Sequence, residues 1–259
     1  MSRRTALVTG ASRGIGLSIA YQLAQRDIRV AVHYHKNEEL AQKVLDSLPG
    51  DGHILLCGDL SDETSIQNIW DRAIVAFSYI DIVINNAGYC ADHHALQNDF
   101  SVWQREWQRT IFTNLLGPAH LSYFAANAMT SSLKPMSDVN FGRGRIVNIS
   151  SRGAFRGEPT APAYGASKAG LNSLSQSMAL ALAPEQVYVY CIAPGWVDTD
   201  MAKEALTGPK ADQVKAQHPL GRVASADEVA KTAVFCALDA PVTMTGCIID
   251  INGASYLRT

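Results

Sequence analysis

Short apolar runs alternate along the chain with longer stretches in which apolar residues recur every three or four positions. The short runs predict strands buried on both faces, since such strands read as near-continuous Val, Ile and Leu. They are Thr5 to Thr9 (TALVT), Ile28 to Tyr34 (IRVAVHY), His53 to Cys57 (HILLC), Ile80 to Ile84 (IDIVI), Arg145 to Ile149 (RIVNI), Val187 to Ile192 (VYVYCI) and Cys247 to Ile251 (CIIDI). The longer stretches predict helices over about 15–25, 37–47, 61–77, 100–114, 115–133, 163–183 and 226–238. Strand and helix alternate throughout, which predicts an α/β chain built on one parallel, doubly wound sheet of seven strands flanked by helices. No repeat, low-complexity tract or interdomain linker interrupts the sequence, so residues 1–259 read as a single domain.

Local signals sharpen several ends. Ser225-Ala226-Asp227-Glu228 matches the S-x-x-E capping box and opens the last helix. Ser61 is the expected N-cap of the helix ending near Phe77. Asn114 falls in an otherwise apolar segment, TIFTNLLGPAHL, where a polar amide needs partners and marks a local break in helical hydrogen bonding. The stretch Lys134 to Arg143 is polar and turn-rich, and Trp196 to Pro219 has no clean period. With Gly208, Pro209 and Pro219 inside it, the latter reads as a mobile flap with a short helix, a substrate lid at about 196–219.

Composition narrows the classes of function. A chain of 259 residues, 47% hydrophobic and 18% charged, is long enough to bury a large core. The formal net charge is only −2 and no basic block occurs, which leaves nucleic-acid binding without support. MSRRTALVTG contains no apolar h-region, and nowhere do some twenty apolar residues run together, so neither a secretory signal nor a membrane partner is expected. The five cysteines (Cys57, Cys90, Cys191, Cys236 and Cys247) form no CxxC pair, which suits a reducing, cytoplasmic setting. Three of them fall in expected strands, as small buried thiols. His93 and His94 are adjacent and lack a third ligand nearby, so no metal is expected there.

The first strand runs directly into Gly10 to Gly16 (GASRGIG) and then into a helix. Strand, glycine-rich turn and helix make a phosphate-binding loop, in which glycines admit a pyrophosphate and the helix N-terminus offers N–H groups and a positive dipole end. The spacing is G-x-x-x-G-x-G, and a Rossmann fold is the expected frame. A site for NAD usually ends its second strand with Asp or Glu, to take the ribose 2′-hydroxyl. Here that strand ends His33-Tyr34-His35-Lys36 with no carboxylate before Glu38, and Arg13 stands in the loop to meet a 2′-phosphate. NADP(H) is therefore expected in preference to NAD(H). Asp59, just past the third strand, and Asn85-Asn86-Ala87-Gly88, ending the fourth, lie where open α/β sheets gather ligand contacts, though both also suit simple turns.

Tyr164 and Lys168, within YGASK, are four apart on an expected helix and share one face. An ammonium beside a phenol favours the phenolate and would let the tyrosine trade a proton with an alcohol or ketone oxygen. The same spacing also suits a solvated surface pair.

Taken together, TGASRGIG (Thr9 to Gly16), Asp59, NNAG (Asn85 to Gly88), Asn114, Ser151, YGASK and PGWVDTDM (Pro194 to Met201) resemble the short-chain dehydrogenase/reductase family over the whole chain. Ser151 precedes Tyr164 by thirteen residues, as the family's pattern requires. The resemblance implies a catalytic Asn114–Ser151–Tyr164–Lys168 tetrad. Tyr164 would be the acid in reduction, Lys168 would lower its pKa and hold the nicotinamide ribose, Ser151 would bind the substrate oxygen and Asn114 a water. It also implies dinucleotide contacts from Gly10, Ser12, Arg13, Gly14, Ile15 and Gly16, from His35, Asp59 and Leu60, and from Asn86, Ala87 and Gly88. Tyr164, Lys168, Pro194, Gly195, Val197 and Thr199 would complete that site.

Within the family the pattern is most similar to bacterial 3-oxoacyl-acyl-carrier-protein reductases, which implies a homotetramer. Those enzymes tend to place basic residues near the tetrad for an acidic carrier, whereas SQSMALALAPEQ has none. The expected substrate is therefore a 3-oxoacyl thioester or a smaller carbonyl compound. An NAD(P)-linked alcohol or sugar dehydrogenase and a catalytically silent dinucleotide-binding protein are the alternatives. An intact tetrad speaks against the silent one.

Overall fold

The computed structural model describes residues 3–96, 98–131, 138–209 and 211–258. Strand β1 (Thr5–Val8) is flanked on one side by β2 (Arg29–Tyr34) and then β3 (Ile54–Cys57). On the other side stand β4 (Ile82–Asn85), β5 (Gly144–Ile149) and β6 (Val187–Pro194). Two short strands, β7 (Val197–Asp198) and β8 (Ala224–Ser225), pair only with each other, and β9 (Ile248–Ile251) closes the sheet beside β6. All seven strands of the main sheet are parallel.

The first face carries α1 (Gly14–Ala24) and α2 (Glu38–Ser47). The second carries α3 (Glu63–Phe77), then α4 (Phe100–Ile111), α5 (Gly117–Ser131) and α6 (Pro162–Leu182). Between β7 and β8 lie two short helices, α7 (Lys203–Thr207) and α8 (Ala211–Ala216), and α9 (Ala226–Leu238) returns to the first face beside α1. Because successive strand side chains point to opposite faces, Ala6 and Val8 enter one core and Leu7 the other. Likewise Val30 and Val32 oppose Ala31, and Ile82 and Ile84 oppose Val83. Both faces need apolar cover, and that is why these strands read as unbroken hydrophobic runs. No described helix is long and apolar enough to cross a membrane.

Strand order reverses between β1 and β4, and the carboxyl ends there open the crevice in which such sheets bind ligands. The loop after β1, NNAG after β4, Ser150-Ser151 after β5 and Pro194-Gly195 at the end of β6 therefore share one edge.

Several local expectations change. Asp62, not Ser61, caps α3 by accepting the Thr64 N–H at 3.0 Å, because the Ser61 hydroxyl is drawn to Asp59 at 2.7 Å. The helices expected over 100–114 and 115–133 form one path, α4 and α5, joined by a π-helical turn at Phe112–Leu116 that contains Asn114. The end of that second stretch, with Lys134 to Met136, lies outside the described residues. The 196–219 segment has a core of its own, with Ala202, Leu206 and Val214 packed against Trp196 and Val223. Cys191 is buried in its strand, but Cys57 ends an edge strand and is exposed.

Candidate active site

The glycine loop is shaped by close backbone approach. Gly10 has φ +62°, and a side chain there would meet Ala87 Cα at 2.9 Å. At Gly16 an added Cβ would be crowded by Asn86 Nδ2 at 2.5 Å and Ala11 Cα at 2.9 Å. Two residues to which the sequence assigned no individual role, Thr9 and His33, hold the loop. Thr9 Oγ1 accepts the N–H groups of Asn86 (2.9 Å) and Ala87 (3.0 Å), sewing NNAG to the end of β1. The Asn86 amide returns the contact, donating to Thr9 O at 2.8 Å. His33 Nδ1 accepts the Gly10 N–H at 3.1 Å while its Nε2 donates to Gly58 O at 3.1 Å. Burial pushes this imidazole down to about 4, so it is neutral at pH 7.

At the head of α1, Arg13 is the extended N-cap and makes no side-chain cap, and the first turn holds no acidic residue. The uncapped N–H groups and the close-packed glycines fit a pyrophosphate. Ser12 is half-buried in this loop, and Ile15 packs into the first-face core. Arg13 itself is exposed and faces Asp200 at 3.8 Å, while Thr199 Cγ2 would lie 3.3 Å from a Cβ on Gly14. The start of the 196–219 segment thus rests against the glycine loop.

Next to it, His35 and Asp59 meet at 3.3 Å. Burial opposes ionisation of the Asp59 carboxyl, but the Ser61 N–H and hydroxyl outweigh it and hold its pKa below the usual value. Leu60 is buried, with its carbonyl against Gly117 at the start of α5. Across the cleft, the Gly195 N–H donates to Ile251 O at 3.0 Å, after Pro194 has ended β6. Val197 is buried in β7.

Two of the four proposed chemical groups, Lys168 and Asn114, approach Gly88, and Tyr164 neighbours Lys168 and Ser151. A Cβ on Gly88 would sit 3.7 Å from Lys168 Nζ and 3.8 Å from Asn114 Oδ1. Asn114 is fully buried; its Oδ1 accepts the Tyr89 N–H at 2.7 Å, and its Nδ2 donates to Tyr89 O at 2.8 Å and Ser167 Oγ at 3.1 Å. The Ser167 hydroxyl in turn donates to Tyr164 O at 2.8 Å. Ser167, unremarked in the sequence although it lies inside YGASK, therefore links the π-turn to the α6 backbone. Ser151 accepts the Gly153 N–H at 3.0 Å, and its hydroxyl also supports the phenolate form of Tyr164 by hydrogen bonding.

The net direction differs from the sequence expectation of a lowered Tyr164 pKa, because burial outweighs whatever the neighbouring ammonium contributes. Burial dominates at Tyr164 and pushes the phenol up to about 12, with Ser151 opposing it. Lys168 is itself buried, which pulls it down to about 8, and its Nζ donates to Ile149 O at 2.8 Å. In this arrangement the tyrosine is a protonated phenol at neutral pH, next to a lysine close to its own titration.

Comparison with known proteins agrees with the fold. A family model described as enoyl-(acyl carrier protein) reductase matches residues 10–254. The 3-oxoacyl-[acyl-carrier-protein] reductase FabG of Staphylococcus aureus is 33% identical over 256 residues, 98% of each chain. Its namesake from Escherichia coli K12 is 34% identical over 254 residues, again 98% of each. The Chlamydia trachomatis protein of that name is 33% identical over 252 residues, 96% of each.

Proposed function

We propose, from the premise that this chain belongs to the short-chain dehydrogenase/reductase family, that it reduces a ketone to a secondary alcohol with NADPH. The chain is an NAD(P)-dependent oxidoreductase. Its full-length similarity to proteins named 3-oxoacyl-[acyl-carrier-protein] reductase supports a 3-oxoacyl thioester, or a smaller ketone, as substrate.

The observation that carries the reductive reading is the state of Tyr164. Reduction needs a proton donor at the carbonyl oxygen, and a half-buried phenol whose pKa desolvation pushes up to about 12 keeps its proton at neutral pH. The bound cofactor supplies the hydride to the carbonyl carbon. As negative charge develops on the oxygen, the Ser151 hydroxyl donates to it and the Tyr164 O–H proton is transferred, downhill because an alkoxide is a stronger base than a phenolate. The Lys168 ammonium stabilises the phenolate left behind. Asn114 keeps the Tyr89 backbone and, through Ser167, the α6 backbone in place around these groups. An alcohol or sugar dehydrogenase would instead need the phenolate as a base, which burial opposes.

NADPH is favoured by the absence of a carboxylate at the end of β2 and by the exposed Arg13 guanidinium. A homotetramer is supported by the half-exposed Ile248, Ile249 and Ile251 on edge strand β9, and by exposed Tyr123 and Leu180 on α5 and α6. Light scattering after gel filtration reads that state directly. The decisive experiment is a kcat/KM panel of acetoacetyl-coenzyme A and small ketones with each cofactor. Turnover of at least one ketone with NADPH is expected, and no turnover with either cofactor would overturn the reading.

A further inference from the structure

His93 is completely buried, yet no step above uses it. It sits in the loop between Gly88 and α4, with its ring against Trp103 in an edge-to-face contact at 5.5 Å. Its backbone N–H donates to Thr160 O at 2.7 Å, so the loop is already tied to the segment that leads into α6. The imidazole extends that tie. Nδ1 lies 2.8 Å from Ala91 O, and Nε2 receives the N–H of Ala163 at 3.2 Å.

The first turn of α6 shows why that second contact matters. A helix leaves its first N–H groups without internal partners, and a Ser, Thr, Asp or Asn cap ordinarily takes one of them. Here the N-cap is Ala161, which has no side-chain acceptor, and Pro162 has no N–H to satisfy. The N–H groups of Tyr164 and Gly165 both turn back to Ala161 O, at 3.0 and 3.3 Å. Only the fully buried Ala163 is left, and His93 Nε2 is its partner among the described residues. The capping acceptor therefore comes from seventy residues away in sequence and bonds to the residue next to Tyr164.

We propose that His93 is a positioning residue for the general acid: a neutral imidazole protonated on Nδ1, whose Nε2 lone pair fixes the first turn of α6 and with it the Tyr164 phenol. The tautomer follows from the partners. A carbonyl oxygen only accepts, so Nδ1 carries the hydrogen toward Ala91, and an N–H only donates, so Nε2 is bare toward Ala163. The loop bearing His93 is also held by Asn114 at Tyr89. Its two anchors thus fall on the two helical elements that carry Asn114 and Tyr164. The kinetic part of the inference rests on Tyr164 being the acid; the tautomer and the cap do not.

The test uses the full-length protein with saturating NADPH and whichever ketone the panel above selects. In the wild type, imidazole nitrogen NMR should show His93 with a protonated Nδ1 and a bare Nε2. His93→Gln places an amide oxygen near Nε2 and should keep kcat within about threefold. His93→Asn reaches only the Nδ1 position and should lower kcat by tenfold or more, leave the Kd for NADPH within twofold, and speed Ala163 amide exchange at least tenfold. An Nε2-protonated tautomer overturns the inference, as does an Asn variant with unchanged kcat or a Gln variant that melts normally but behaves like Asn. If the Gln variant does not fold, the wild-type tautomer decides. Tyr164→Phe, run alongside, separates the two readings: full activity there removes the acid, while the NMR and exchange results still judge the cap.

Discussion

Lys168 directs its ammonium to the carbonyl oxygen of Ile149, 2.8 Å away, while the centre of the Tyr164 ring lies 5.8 Å from the same nitrogen. The two groups are neighbours without being a hydrogen-bonded pair. Lys168 is buried and Tyr164 half-buried, and loss of solvent acts on them in opposite directions, pushing the phenol up to about 12 and pulling the ammonium down to about 8. The lysine is thus the group that titrates near working pH.

Reduction should therefore fail on the alkaline side as Lys168, and not Tyr164, loses its proton. Below about pH 8 the ammonium is charged and stabilises the incipient phenolate; above it the charge disappears while the phenol is still protonated. A profile of kcat/KM for ketone reduction between pH 6 and 10 should be level and then fall with a midpoint near 8. Lys168→Arg, with a guanidinium that stays charged, should move that limb upward by at least a unit. A wild-type profile level to pH 10 would remove Lys168 from the titration.

Replacing the phenol hydroxyl isolates proton transfer from binding. Tyr164→Phe should lower kcat by roughly 10²–10⁴, the usual contribution of a positioned acid. The Kd for NADPH, read by fluorescence titration, should change by less than about threefold, since the glycine loop and Lys168 are untouched. Retained turnover would show that the proton comes from elsewhere.

Arg13 separates the two cofactors. Its side chain is exposed and paired only at 3.8 Å with Asp200, an interaction that costs little to give up. A 2′-phosphate is the stronger partner. Arg13→Ala should raise the Kd for NADPH about tenfold or more and that for NADH about twofold at most. Equal losses would place the 2′-phosphate elsewhere, with Lys36 the next residue to change.

The strands and the order of the motifs were legible because their signals are local. Residues such as Val30 to Val32 are apolar on both faces, and the loop of Gly10 to Gly16 follows its strand directly. Asn114 was also legible as a disturbance in an apolar helix, and the π-turn is its structural form. Contacts between distant segments were not. The acceptor for Ala163 N–H is a histidine seventy residues upstream, and Thr9 reaches NNAG only because β1 and β4 are neighbours. Strands β7 and β8 are two residues each, too short to show any period. The direction of the Tyr164 pKa was not legible for a related reason: two residues on one helix face predict an interaction, whereas desolvation, the larger effect, depends on everything packed around them.

His33 supplies an acid limit on stability that is independent of catalysis. Its pKa is about 4 in the fold against about 6.5 in an unfolded chain, so between these values the unfolded state binds the additional proton. Stability from this group is complete above pH 6.5 and is lost as pH falls toward 4, by roughly 3 kcal/mol in all. The cause is structural: protonating Nδ1 would turn the acceptor for the Gly10 N–H into a second donor inside the core. Urea unfolding at half-unit steps from pH 8 to 4.5 should show the wild type weakening through this window. His33→Asn retains an acceptor near Gly10 but cannot titrate. It should be less stable than wild type at pH 8 by about 1 kcal/mol, for the lost bond to Gly58, yet show a shallower acid slope. Parallel slopes for the two proteins would mean that the carboxylates, and not this imidazole, set the acid limit.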